Sequence, residues 1–363
     1  MNLDWGTILL YYCGQQQYDT QTKGFKMRNS LPVGKLDPDL LESLLTSYHI
    51  DDPTVIIGPK VGEDAAVIDL GDSYLVAKTD PITFANDEIG WYLVCVNGND
   101  IATMGVVPRW LLVTLLLPES KTTEKLVRDI FSQIITACKH FNITLCGGHT
   151  EITHDLGRSI IVGQMLGQVE KDKLITSSGA QVGDDILLTK GIAVEAVSLI
   201  AREREETLLN RNYSPEYIAR ARGYLREPGI SVLKDAIIAK RVGGIHAMHD
   251  PTEGGLATGL HEIARCSQVG MEVWPEKIHI FPECRDLCGE FGIDPMGVIA
   301  SGGLLIVSDP SHCGEIIEAL AQEGIHCSAI GRVIEKERGL FFQKGSQKHS
   351  IPIFETDEIT KIF

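Results

Sequence analysis

Residues 62–80 read GEDAAVIDLGDSYLVAKTD. Two strand-prone runs, AAVIDL and SYLVAKTD, flank Gly71-Asp72, and a two-residue Gly-X turn between such runs predicts a β-hairpin. With Gly71 and Asp72 at the turn, Leu70 faces Ser73, and the same pairing carried to the open end brings Glu63 and Asp64 opposite Asp80 and Thr79. Acids gathered there repel one another and raise each other's pKa unless a cation neutralises them, so the hairpin points to a magnesium site. A one-residue register slip decides whether Glu63 or Asp64 points at Asp80, and the sequence leaves that choice open. Two turn-capping acids diverging into solvent are the competing structural reading.

Working outward, Asp37-Pro38 opens a short helix that runs to about Tyr48, with leucines 40, 41, 44 and 45 on one face. Residues 88–104 carry apolar residues at helical spacing and lead into WLLVTLLLP (110–118), a continuous apolar run of the kind found in a strand covered on both faces. A capped amphipathic helix follows over residues 122–140, then a glycine-bearing strand and turn, TLCGGHTEIT (144–153), and a strand, SIIVGQMLGQV (159–169). The polar stretch KDKLITSSGAQVGDD marks a boundary at 170–182. Beyond it DILLTK (185–190), a helix from Ile192, a charged helical region over 203–240, HDPTEGGLATGLHEIA (249–264) and GGLLIVSD (302–309) restart the alternation. Strands and helices alternate in both halves, which predicts two α/β domains.

The net charge of −16 opposes a nucleic-acid partner. Polyphosphate remains open to such a chain, provided divalent cations sit between its carboxylates and the ligand. No apolar run approaches the roughly 18 residues of a membrane span, and nine scattered cysteines without CxxC spacing point to reduced thiols and a cytoplasmic setting. Residues 1–29, with the short apolar run TILLYYC, are expected to be an appendage. Arg202, Arg204 and Arg211 fit a solvated helix face.

Further candidates are spread along the chain. Ile89, Leu93, Val96 and Asp100 fall on one helical face, so Asp100 continues an apolar stripe and needs a cation, donors or a metal; Asn97 lies one turn earlier. Gly147 and Gly148 permit close backbone approach to a phosphate, Thr150 offers a hydroxyl, and His149 and Glu151 are candidates for acceptor-side acid–base work. Asp250 precedes a helix whose N-terminus, with Thr252 and Gly254, could meet an anion. Lys35 and Lys190 stand beside glycines and are suited to balancing phosphate charge, with Lys190 placed among the catalytic candidates. Walker A, GxGxxG, GxSxG, HExxH and kinase signatures are absent.

Taken in order, GEDAAVI, KTD, NDIATMGVVP, GGHT and DPTEGGLATGLHEIA resemble the AIR synthase (PurM-like) superfamily over residues 30–335. The second half, HDPTEGGLATGLHEIA and GIDPMGVIASGGLLIV, looks most like the HypE branch. The resemblance implies a PurM-like α/β (α+β) fold. Its parts would be an N-terminal ATP-binding and dimerisation domain over 30–172, forming a β-barrel across a homodimer, a C-terminal α/β domain over 180–345 and a tail over 346–363. It further implies ATP and Mg²⁺, with Asp64, Asp80, Asp100 and Asp250 as metal acids and Asn97, Gly148 and Thr150 near the nucleotide. The activity implied is transfer of the γ-phosphoryl of ATP to an oxygen of a small acceptor. A thiamine-monophosphate-kinase-like enzyme and a non-catalytic scaffold serving a maturation partner protein are the alternatives. Departures are clear: the chain ends ITKIF where HypE carries a terminal cysteine, Ser301 replaces a usual acid, and no reactive cysteine lies near Gly34.

Overall fold

The computed structural model describes residue 31 and residues 34–47 and 50–363. The expected appendage 1–29, with Cys13, lies outside the described residues. Chain order in the first half is α1 (Pro38–Leu45), β1 (Val55–Ile57), β2 (Ala66–Asp69), β3 (Ser73–Ile82), α2 (Ile89–Thr103), β4 (Pro108–Pro118), α3 (Glu124–His140), β5 (Thr144–Thr153) and β6 (Ile160–Glu170). The second half contributes β7 (Asp185–Thr189), α4 (Val194–Glu203), α5 (Glu205–Asn210), α6 (Pro215–Gly223), α7 (Leu233–Val242), β8 (Ile245–His249) and α8 (Gly255–Ser267). After these come β9 (Gly270–Val273), α9 (Pro282–Phe291), β10 (Leu305–Ser308), α10 (Pro310–Gln322), β11 (Cys327–Ile334), β12 (Leu340–Lys344) and β13 (Gln347–Ser350).

The hairpin has the register its turn dictates. Leu70 N–H donates to Ser73 O at 2.9 Å, and Asp69 and Ala66 of β2 lie opposite Tyr74 and Ala77 of β3. A six-stranded sheet in the order β1-β2-β3-β6-β4-β5 grows from it, and a seven-stranded sheet, β13-β12-β9-β11-β7-β10-β8, forms in the second half. Both are mixed, with β4–β5 and β9–β12 as their parallel pairs. The α/β class and the two-sheet architecture follow from this alternation. The described residues from 34 onward belong to one compact unit.

Every residue of α2 is buried. Apolar residues all round are what a helix needs when it is covered on several sides, and α2 is packed by the first sheet, by α3 and by α7 and β8 of the second half. Asn99 ties the halves together: its Nδ2 donates to Ile230 O at 2.9 Å and its Oδ1 accepts from Val232 N at 2.9 Å.

Two expectations are refined. The TLCGGHTEIT segment is one uninterrupted strand, β5, rather than a strand and turn. Its Gly148 has φ +150°, and a Cβ there would lie 1.8 Å from Val113 O, so close strand packing alone requires glycine. The residues after 345 are woven into the fold: β13 pairs with β12, and Ile351, Asp357, Glu358 and Ile359 are buried. The cysteines among the described residues are free and, except for Cys146, buried. Among the described residues no helix is long and apolar enough to cross a membrane.

Candidate functional site

The site is assembled from four short segments. Asp64 precedes β2, Lys78 and Asp80 share one face of β3 because they lie two residues apart, Asn97 and Asp100 are one turn apart on α2, and Asp250 follows β8. One carboxylate oxygen from each of Asp64, Asp100 and Asp250 lies within 4.8 Å of the other two, and all three residues are buried. At that separation each pair of ionised carboxylates repels by about 3–4 kcal/mol at an effective dielectric of ~20. Three full charges therefore need a cation.

Asp64 has partial compensation. His249 Nδ1 is 2.8 Å from its Oδ1, and Ser177 Oγ donates to its Oδ2 at 3.0 Å. Against the effect of burial, His249 holds the Asp64 carboxyl below the usual carboxylate range. His249 forms a hydrogen bond with Glu262 through Nε2 at 2.8 Å, and the charges of Asp64 and Glu262 outweigh its burial and raise its pKa well above the ordinary histidine value. Asp100 and Asp250 lack such support. Burial raises Asp100 well above the usual range, Lys78 opposes that rise, and Asp250, Asp80 and Asp64 add to it. Burial and then Asp64 push Asp250 up to about 8. Asp100 Oδ2 and both Asp250 oxygens are buried without hydrogen-bond partners. Three orphaned hard oxygens from two carboxylates, Asp100 and Asp250, beside the Asp64 carboxylate suit Mg²⁺, which accepts oxygen ligands and supplies the missing positive charge.

The remaining candidates are placed as follows. Asp80 stands apart from the trio, its Oδ2 3.5 Å from Lys78 Nζ. Glu63 Oε2 is buried and unpartnered, and Oε1 lies 3.8 Å from Lys60, so of these two adjacent acids it is Asp64 that joins the cluster. Asn97 is fully buried and spends its amide on the backbone of Asp80, accepting from its N–H at 2.9 Å and donating to its carbonyl at 3.2 Å. It thereby fixes β3 rather than presenting a free amide to a nucleotide.

Lys35 Nζ donates to Thr252 Oγ1 at 3.0 Å and lies 3.6 Å from Glu253 and 3.7 Å from Glu262, at the edge of the acidic group. Gly254 N–H is occupied: it donates to Asp357 Oδ2 at 2.7 Å, so the start of α8 already holds a carboxylate of the same chain. Lys190 is 4% exposed, 3.4 Å from Asp235, and donates to the carbonyls of Gly229 and Ser231. Its ion-pair partner is thus Asp235, which is not one of the trio. His149 and Glu151 are exposed on β5 and paired with each other at 3.3 Å, beside exposed Gly147, Gly148 and Thr150. None of these five belongs to the converging ligand group.

Lys78, His249, Glu262 and Ser177 were not singled out in the sequence reading. The signal for Lys78 was its two-residue spacing from Asp80 on a strand; His249 and Ser177 touch Asp64, and Glu262 reaches it through His249, only through long-range folding.

Family comparison agrees with this architecture. The N-terminal domain of AIR synthase related proteins matches residues 62–169, and the corresponding C-terminal domain matches residues 181–342. Carbamoyl dehydratase HypE of Rhodobacter capsulatus is 25% identical over 318 residues, covering 84% of this chain and 88% of that protein. Selenide, water dikinase of Photorhabdus laumondii is 27% identical over 338 residues, covering 84% of this chain and 92% of that protein. Hydrogenase maturation protein HypE, solved in complex with ATP, is similar in fold with a TM-score of 0.66 at 21% identity, over 85% of this chain and 91% of that one. With these matches to both of its halves, the chain belongs to the AIR synthase related protein family.

Proposed function

We propose that this protein is a cytoplasmic ATP- and Mg²⁺-dependent enzyme that transfers the γ-phosphoryl of ATP to an oxygen of a small acceptor. The observation that carries the reading is the buried trio of Asp64, Asp100 and Asp250 with three of its oxygens unpartnered. The ATP bound by a HypE of similar fold supports the choice of nucleotide. In the reaction the acceptor oxygen attacks the γ-phosphorus, the bond to the β–γ bridging oxygen breaks, and ADP leaves.

Asp64, Asp100 and Asp250 would hold the cation, with Asp80 beside them. Bound there, Mg²⁺ supplies charge neutralisation for the phosphates against an acidic protein. His249, fixed between Asp64 and Glu262, orients the Asp64 carboxylate, and Asn97 fixes the backbone that carries Asp80. Lys35 supplies positive charge at the rim.

Homodimerisation belongs to the same proposal. One face of the first sheet is half-exposed and apolar at Leu112, Leu116, Val162 and Leu166, and β5 is an open edge. A second copy is the occupant proposed for that face.

ADP release from Mg-ATP tests the enzyme reading, measured alone and with a carboxamide or thiamine monophosphate as the oxygen acceptor. We expect one acceptor to stimulate release and Asp250→Asn to lower it by at least about a hundredfold. ATP binding without turnover under every condition overturns the enzyme reading in favour of a scaffold that serves a maturation partner. Turnover with thiamine monophosphate alone identifies the small-molecule kinase.

A further inference from the structure

Lys78 and Asp80 project to the same side of β3, the side on which α2 carries Asp100. Lys78 Nζ stands 3.3 Å from Asp100 Oδ1 and 3.5 Å from Asp80 Oδ2. Asp80 is held by the Asn97 amide through its backbone, yet its carboxylate is outside the trio, and the ammonium lies between the two. Both contacts are longer than the roughly 2.7–2.9 Å of a good charge-assisted N–H···O bond. One positive charge also cannot balance Asp64, Asp80, Asp100 and Asp250, even with His249 shared between Asp64 and Glu262. Asp100 Oδ2 and both oxygens of Asp250 stay orphaned in its presence.

We propose that Lys78 is a resident counter-ion: its ammonium fills the space between Asp80 and Asp100 while the trio awaits a cation, and is exchanged for the divalent ion when that ion arrives. The inference rests on reading the trio as a cation site. The exchange follows from charge and coordination. A divalent ion brings twice the charge and takes several oxygens at bonding distance, whereas the ammonium holds two loosely. Entry of the ion frees Asp100 Oδ1, and the side chain of Lys78, 23% exposed, is released toward solvent as a cation available to an anion at the rim. Lys78 thus sets the cation concentration at which the site loads, and it couples cation loading to anion binding.

Titration of the full-length protein with Mn²⁺ alone, following the free-ion EPR signal, tests the proposal. Lys78→Met is expected to bind Mn²⁺ at least about tenfold more tightly than the wild type because a competing charge has gone, while Lys78→Arg stays close to it. A lysine serving only to hold the fold gives the opposite sign, weaker binding on removal. Asp250→Asn is the control for the site. Binding that Asp250→Asn abolishes, but that Lys78→Met leaves unchanged or weakens, overturns this inference alone; binding insensitive to Asp250→Asn overturns the reading of the site and this inference with it. Should Lys78→Met not fold, amine labelling of the wild type read by mass spectrometry decides: Lys78 must become more reactive when Mn²⁺ is added, and unchanged or reduced labelling overturns the exchange.

Discussion

Asp250 is 2% exposed, and neither of its oxygens has a hydrogen-bond partner. Burying such a group costs stability until something pairs with it. Asp250→Asn is therefore expected to raise the stability of the cation-free protein by about 1–3 kcal/mol at slightly alkaline pH, and to abolish the rise in unfolding midpoint that Mg²⁺ gives the wild type. Urea unfolding in chelator and in Mg²⁺ measures both. Glu195 carries the pH prediction. Burial pushes its carboxyl up to about 8, and its Oε2 has no partner. Both states hold the proton below the ordinary glutamate value. As pH rises toward 8 the unfolded chain gives it up first, so stability falls with pH through that window and the loss is complete above it. Glu195→Gln should flatten this fall by up to about 1 kcal/mol per pH unit at the steepest point, and parallel slopes for the two proteins between pH 5 and 8 rule it out. Asp100 was legible at this scale because an acid interrupting an apolar stripe must find compensation. The choice between Glu63 and Asp64 was not, since a period-two pattern is blind to a one-residue slip. The ion pair of Lys190 could not be read either, because its partner Asp235 lies on α7, far along the chain.

At the scale of elements, α2 and β6 meet where Gly163 faces Asn97. A Cβ on Gly163 would lie 2.5 Å from Asn97 Nδ2, and Asn97 holds both backbone polar groups of Asp80. Gly163→Ala is expected to cost about 1–3 kcal/mol through overpacking and also to weaken cation binding, because Asp80 loses its anchor. Gly157→Ala, with open space around the added methyl, should change stability by less than about 0.5 kcal/mol. If Gly163→Ala loses stability but keeps wild-type cation affinity, Asn97 has no part in ordering the acids. The hairpin, strand β4 and the helix carrying Asp100 could be read from turn chemistry and periodicity, although β4 is covered on one face only, its other face being half-exposed at Leu112, Thr114 and Leu116. That α2 would be buried on every side could not, because its outer cover is α7 and β8 from the other half of the chain. Nor could the glycines of β5 be explained, since the neighbour that demands Gly148 is the Val113 carbonyl.

Across the whole molecule, the C-terminal segment closes the fold onto the site. Asp357 is 4% exposed and accepts from Gly254 N at 2.7 Å, Ile299 N at 3.2 Å and Ile359 N at 2.7 Å. Nothing in the sequence marks these bonds, since every donor is a backbone N–H and two lie 58 and 103 residues away. Asp357 therefore joins the chain end to the turn that carries Asp250 and to the loop before Ser301. Asp357→Ala leaves those N–H groups orphaned and is expected to cost about 2–4 kcal/mol. The loss should not be confined to the end of the chain. Amide exchange at Gly254 and Ile299 should quicken together, and the stabilisation conferred by Mg²⁺ should shrink, because the turn bearing Asp250 loses its tether. Asp357→Asn, which keeps an acceptor oxygen but surrenders the charge, should fall between the two. Fast exchange limited to residues 358–363, with Gly254 still protected, would show instead that the segment merely rests on the surface, and the loop bearing Asp250 would then owe its position to β8 and α8 alone.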